Sequence, residues 1–265
     1  MPPSEPSTVP SPAPPTEPRT VLVTGASGGI GRGIALRFAA AGARVVVHYR
    51  SDAAGAQRTV ELIRREGGAA LAVHGELGTE DGCRAVVTEA ARWCPAGLGS
   101  LVNNAGVQPV RELRGMTAEE WRAVVDTNLS SVFGCTQAAA PLLAEGGGGS
   151  ITHVASIEAA QPAPGHAHYA VSKAAIVTHA RAAALEYGPL GVRVNTVSPG
   201  LVERDGIEEQ WPEGVRRWRA AAPDGRLGTA EDVGDACVFL ASPQARWING
   251  HDLVLDGGVS ARPSW

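Results

Sequence analysis

Tyr169 and Lys173 stand four positions apart in the stretch His168-Tyr169-Ala170-Val171-Ser172-Lys173, at the head of an alanine-rich run that reads as a helix as far as Tyr187. Residues four apart share one face of a helix, so a phenol and an ammonium are brought to one reaction centre. A free tyrosine ionises near pH 10, too high for useful proton transfer at neutrality. A cation beside it favours the phenolate, so Lys173 is expected to lower the phenol's pKa and permit proton exchange with an alcohol oxygen. The pair alone also arises by chance on surface helices, so its meaning depends on the rest of the chain.

A second chemical feature lies near the start. The apolar strand Thr20-Val21-Leu22-Val23-Thr24 runs into Gly25-Ala26-Ser27-Gly28-Gly29-Ile30-Gly31, followed by an apolar-periodic helix through Ala41. Strand, glycine-rich turn and helix together make a phosphate cradle. Glycines let the backbone approach a pyrophosphate, and the helix N-terminus offers free N–H groups and a partial positive charge. The next strand, Arg44 to His48, ends in Tyr49-Arg50-Ser51. In a dinucleotide fold an acid at this strand end holds the adenosine ribose, whereas an arginine accommodates a 2′-phosphate. Arg50 therefore favours NADP(H), with NAD(H) tolerated; its bland alternative is a solvated loop arginine.

Further elements must position these groups. The chain continues as helix Asp52 to Glu66, strand Ala69 to His74, helix Thr79 to Trp93 and a strand through Ser100-Leu101-Val102 into Asn103-Asn104-Ala105-Gly106. One long helix is expected from Thr117 to about Leu143, with Asn128 inside it. Strand Gly149 to Ala155 closes at Ser156, a loop Ile157 to His168 leads to the Tyr169 helix, and strand Gly191 to Val197 ends in Ser198-Pro199-Gly200. The polar, Trp-containing stretch from Leu201 to Ala222 interrupts the rhythm and reads as a lid; helix Glu231 to Leu240 and strand Leu253 to Leu255 follow. Alternating β and α units imply one Rossmann-like α/β domain, doubly wound, with a parallel sheet covered on both faces.

Bulk properties exclude other classes. A net charge of −4 and a pI near 6.0 signal no nucleic-acid-binding face, and no apolar run reaches the length of a membrane span. Cys83, Cys94, Cys135 and Cys237 are scattered without metal-ligand spacing, so no metal is expected and reduced thiols in a cytoplasmic protein are. Residues 1–18 are rich in Pro, Ser, Thr and Glu and read as a disordered tail rather than a targeting segment, leaving 19–265 as the folded domain.

From Arg19 to Val259 the chain resembles the short-chain dehydrogenase/reductase family. The motifs are Thr24-Gly25-x-x-x-Gly29-Ile30-Gly31, Asn103-Asn104-Ala105-Gly106, Asn128, Ser156, Tyr169-x-x-x-Lys173 and Asn195-x-x-x-Pro199-Gly200, in that order. The resemblance implies a seven-stranded sheet and a catalytic tetrad of Asn128, Ser156, Tyr169 and Lys173. A nicotinamide would exchange hydride with a carbonyl carbon while Tyr169 exchanges the proton and Ser156 holds the oxygen. Lys173 would also hold the nicotinamide ribose, and Asn128 would anchor a water relay. Cofactor contacts are implied at Gly25, Ser27, Gly29, Ile30, Gly31, Tyr49, Arg50, Ser51, Glu76, Leu77, Asn104, Ala105, Gly106, Pro199, Gly200 and Val202. Three positions depart from the common pattern: Glu76 replaces an aspartate, Arg204 replaces a threonine, and Tyr49 stands where NAD-preferring members carry aspartate.

The resemblance also reaches two branches, 3-oxoacyl carrier-protein reductases and glucose 1-dehydrogenases, and implies a homotetramer meeting through Asp256-Gly257-Gly258-Val259. Substrate candidates are Gln108, Glu158 and His166, with Trp211 and Trp218 either walling the pocket or packing the lid on a neighbouring subunit. His168, which also flanks the site, is a further substrate candidate, and His153 reads as a core histidine. The expected activity is an NADP(H)-preferring carbonyl reductase or secondary-alcohol dehydrogenase. A sugar or polyol dehydrogenase is the first alternative, then a redox-neutral enzyme of the same fold or a non-catalytic cofactor sensor.

Overall fold

The computed structural model describes residues 19–93 and 96–261; the expected tail and Cys94 lie outside the described residues. Seven strands form one parallel sheet in the order β3-β2-β1-β4-β5-β6-β7. They are β1 (Thr20–Val23), β2 (Arg44–Tyr49), β3 (Ala70–His74), β4 (Leu98–Asn103), β5 (Gly149–Val154), β6 (Val192–Pro199) and β7 (Asp252–Leu255). The β1 register, Val21 against both Val45 and Ser100, makes it the strand from which the sheet grows in both directions. The order reverses between β1 and β4, and ligands of such sheets sit beyond the strand carboxyl ends at that switch.

Period-two alternation splits each strand between two cores. Leu22, Leu101, Ile151 and Val194 face α3 (Glu80–Arg92), α5 (Ser131–Glu145) and α6 (Ala167–Tyr187), meeting Val87, Leu143 and Ala180. Val21, Val23, Val102 and Val197 face α1 (Gly29–Ala40), α2 (Ala53–Arg65) and α9 (Ala230–Ala241), meeting Ile34, Ile63 and Leu240. Leu22, Leu101 and Ile151 are fully buried, each contributing about 1.5–3 kcal/mol. Truncating Leu101 to Ala, with layers on both sides unable to collapse, costs about 2–5 kcal/mol. Helix α1 approaches α9 closely because Gly33 has no Cβ, which would lie 2.4 Å from the Cβ of Ala230.

Side chains of Asp52, Thr79, Thr117 and Thr229 cap α2, α3, α4 (Ala118–Val125) and α9, the last two as full capping boxes. The single helix expected over Thr117 to Leu143 is corrected: α4 and α5 are separated by a π turn at Asp126–Ser130. The extra residue swings Asn128 into a buried position, an arrangement that recurs at functional sites. The expected lid is two helices, α7 (Ile207–Gln210) and α8 (Pro212–Ala221). Its root is fixed where Val202 pairs with Gly228.

Candidate active site

The candidate reacting groups gather where β5 gives way to α6. Ser156 is extended, and its Oγ accepts a hydrogen bond of 3.1 Å from the N–H of Glu158 in the short turn Ile157–Ala159. Helix α6 begins two residues before Tyr169, so phenol and amine are both on its first turns. Lys173 is buried, and its Nζ donates to the Val154 carbonyl at 2.7 Å while lying 5.5 Å from the centre of the Tyr169 ring.

The electrostatics run against the simplest sequence expectation. Burial pushes the Tyr169 phenol up to about 12; a hydrogen bond with Ser156 opposes the rise and the Glu158 carboxylate adds to it. Burial pushes the Lys173 amine down to about 8. The expected lowering of the phenol by Lys173 is therefore corrected for the protein alone. Spacing placed Lys173 by the ring, but burial rather than the cation governs the phenol. At neutral pH the phenol is a proton donor and Lys173 is mostly protonated.

Asn128 braces the site from outside the cavity. Its Oδ1 accepts from the Val107 N–H at 2.8 Å and its Nδ2 donates to the Val107 carbonyl at 2.9 Å, imitating a strand neighbour. Nδ2 also lies 3.2 Å from Ser172 Oγ. The loop after β4 is thereby tied to α6.

At the other end of the cavity stands the glycine turn. Gly25 and Gly29 have φ of +64° and +50°, conformations costly for residues with a Cβ. A Cβ on Gly31 would fall 2.2 Å from the Gly25 carbonyl oxygen and 2.6 Å from Asn104 Nδ2. Asn104 Nδ2 donates to the carbonyls of Thr24 and Gly25, at 2.9 and 3.1 Å, so the Asn-Asn-Ala-Gly segment supports the turn directly. Helix α1 has no side-chain cap and no acid in its first turn. Free N–H groups, a positive dipole end and absent side chains fit a dinucleotide pyrophosphate.

These groups share one cavity of about 1240 Å³. Of the residues predicted to touch cofactor or substrate, all but the buried His168 line it, as do Ser156, Tyr169 and Lys173; of the tetrad, Asn128 does not. Arg50 is exposed at the rim, while Glu76 uses its carboxylate on the Gly78 N–H at 3.1 Å, holding its own turn. Trp218 lies against Gly200, where a Cβ would meet its ring at 2.5 Å, and Trp211 packs on Gly214. Both tryptophans thus join the α7–α8 segment to the cavity. Arg204, at the variant position, pairs with Gln210 at 2.8 Å.

His153 is a core residue as expected, fully buried between Asn103 and His179. His168 is equally buried, with Nδ1 accepting from the Tyr169 N–H at 3.0 Å. Sequence reasoning missed two residues near the cofactor end. His48 spans from the Gly25 N–H to the Gly75 carbonyl, 3.1 Å on each side, and its only signal was a polar residue closing an apolar strand. Asp52 also lines the cavity, its carboxylate held by the Gly55 N–H at 2.8 Å.

Comparison with known proteins agrees with this geometry. A family model described as enoyl-(acyl carrier protein) reductase matches residues 25–260. A 3β-hydroxysteroid dehydrogenase from Eggerthella lenta is 38% identical over 250 residues, 93% of this chain and 95% of its own. The chain is a short-chain dehydrogenase/reductase. As such it is an oxidoreductase, in a family that uses NAD(H) or NADP(H). Glucose 1-dehydrogenase 2 from Bacillus subtilis is 32% identical, with 93% of this chain and 96% of that one covered. The solved 7α-hydroxysteroid dehydrogenase, complexed with NADH and 7-oxo glycochenodeoxycholic acid, superposes with a TM-score of 0.86 at 33% identity, covering 91% of this chain and 94% of that one. No helix among the described residues is long and apolar enough to cross a membrane.

Proposed function

We propose that this short-chain dehydrogenase/reductase is an NADP(H)-preferring enzyme that interconverts a carbonyl and a secondary alcohol, with Tyr169 as the acid–base group. The observation that carries the reading is the shared cavity: Tyr169, Ser156 and Lys173 line one end and the glycine turn lines the other. When bound, the dinucleotide supplies or accepts a hydride at its nicotinamide ring. Gly25, Gly29 and Gly31 would hold its pyrophosphate, Pro199 and Gly200 its nicotinamide end, and Lys173 its ribose.

The chain's own part is proton chemistry. A phenol held near 12 is protonated throughout the neutral range, poised to donate to a carbonyl oxygen as it becomes an alkoxide. Ser156, with its Oγ already accepting from the Glu158 N–H, turns its own hydrogen toward that oxygen and stabilises the developing charge. The buried Lys173 ammonium sits below the ring and favours the tyrosinate once the proton has left. Reduction is therefore the direction this site supports best at neutral pH.

Arg50 carries the cofactor preference. It stands exposed at the rim beside Tyr49 without a side-chain partner among the described residues, whereas the nearby acid, Asp52, spends its carboxylate capping α2. NADPH and NADH consumption against a panel of ketones, 3-oxoacyl thioesters and sugars tests the whole reading. Turnover with NADPH preferred is expected; turnover on no member would overturn it.

A further inference from the structure

A second cluster of polar side chains lines the same cavity beside Ser156 and Tyr169 and itself hands over neither hydride nor proton. Glu158 accepts from Gln108 Nε2 at 2.8 Å and from His166 Nδ1 at 3.0 Å, with the Ala163 N–H at 3.4 Å. The His166 and Glu158 side chains are only 17% and 14% exposed, yet both line the cavity. A carboxylate only accepts, so Nδ1 carries a hydrogen toward Glu158. The other ring nitrogen, Nε2, makes no protein hydrogen bond among the described residues. His166 occupies the N-cap position of α6 but its ring caps nothing; it is turned to Glu158 instead. That ring stands edge-on to the Tyr169 ring, centroids 6.1 Å apart.

We propose that Glu158, Gln108 and His166 form a subsite for a hydroxyl on the carbon next to the reacting one, so that the substrates are α-hydroxy ketones and the vicinal diols they yield. This rests on the oxidoreductase reading of the same cavity. The two pairs run side by side: Ser156 and Tyr169 at the reacting oxygen, Glu158 and His166 two residues on and three residues back along the same turn and helix. Oxygens on neighbouring carbons match that adjacency. Glu158 holds the ring through Nδ1 and leaves Nε2 for the substrate hydroxyl, and Gln108 holds Glu158. A plain ketone would leave this half-buried polar nitrogen facing hydrocarbon, which is how a site built to bind a hydroxyl rejects the analogue lacking it. Val110, Ile207 and Trp211 supply apolar wall elsewhere in the cavity, so the carbon skeleton beyond the two oxygens is not required to be polar.

The test pairs cyclohexanone with 2-hydroxycyclohexanone in turnover with each dinucleotide, and cyclohexanol with cis-1,2-cyclohexanediol in calorimetric titration of the intact chain. Wild type is expected to favour the hydroxylated member by about tenfold or more in kcat/KM and in binding. His166→Leu and Glu158→Gln are expected to collapse that ratio toward one. Turnover of both ketones without discrimination by wild type would overturn the subsite and leave the reductase reading standing. Discrimination that survives both substitutions would overturn these residues as its source. No turnover of either ketone, together with equal binding of the two alcohols, would overturn the subsite, and the panel described above then decides the reductase reading separately. The wild-type comparison decides the proposal even where a variant fails to fold.

Discussion

Lys173→Met should make the protein more stable at neutral pH while disabling it. Burial lowers the lysine from 10.5 to about 8, a difference that corresponds to about 3 kcal/mol held against folding. The substitution also forfeits the 2.7 Å hydrogen bond to the Val154 carbonyl, worth about 2 kcal/mol with a charged donor. A net gain of about 1 kcal/mol remains, roughly 3 °C in Tm for a domain of this size. The sign with pH is fixed. The folded-state pKa lies below the unfolded one, so the penalty is fully present below about pH 8 and fades as pH rises through the unfolded value. Over that window the unfolded chain binds the extra proton, and the wild-type protein gains stability relative to the variant. Urea unfolding of both proteins without cofactor, at pH 7 and pH 10, reads the difference directly, because every other titrating group is common to both. A variant less stable at pH 7, or an advantage unchanged at pH 10, would refute the reasoning.

Other expectations follow from the same geometry. Gly31→Ala places a methyl 2.2 Å from the Gly25 carbonyl and forces the turn from α1; a loss of about 1–3 kcal/mol in unfolding free energy is expected, with dinucleotide binding weakened further, as read by cofactor fluorescence titration. Arg50→Asp should weaken NADPH binding far more than NADH binding, since it removes a phosphate partner and adds like charge; equal losses would count against the cofactor preference. With the phenol near 12, carbonyl reduction should hold from neutral into mildly alkaline pH while alcohol oxidation climbs with pH, a contrast that initial rates in the two directions measure. The expected tetramer can be checked by sedimentation; Phe133 and Val171, about half exposed on α5 and α6, are apolar groups such an assembly would cover.

Local order made much of the fold legible. The strand of Thr20 to Val23 with its glycine turn, the β–α alternation and the Tyr169–Lys173 spacing are all written in short-range pattern. What escaped depends on contacts between distant segments. The π turn at Asp126–Ser130 goes with the clamp of Asn128 on Val107, a partner in another loop. The Glu158–His166 pair closes a loop whose ends are indistinguishable from solvated residues in sequence. His48 bridges the glycine turn to the end of β3. The direction of the Tyr169 shift was unreadable because it is set by burial, a property of packing around the ring rather than of its neighbour at position 173.

The central claim is that Tyr169 hands a proton to the oxygen while hydride from the bound dinucleotide reaches the adjoining carbon. Turnover with NADPH deuterated at C4, by wild type and Tyr169→Phe, tests it most directly. Deuterium on the carbinol carbon of the wild-type product, and a rate lowered by about a hundredfold or more in the variant, is the predicted result. Solvent hydrogen at that carbon, or a variant working at the wild-type rate, would contradict it.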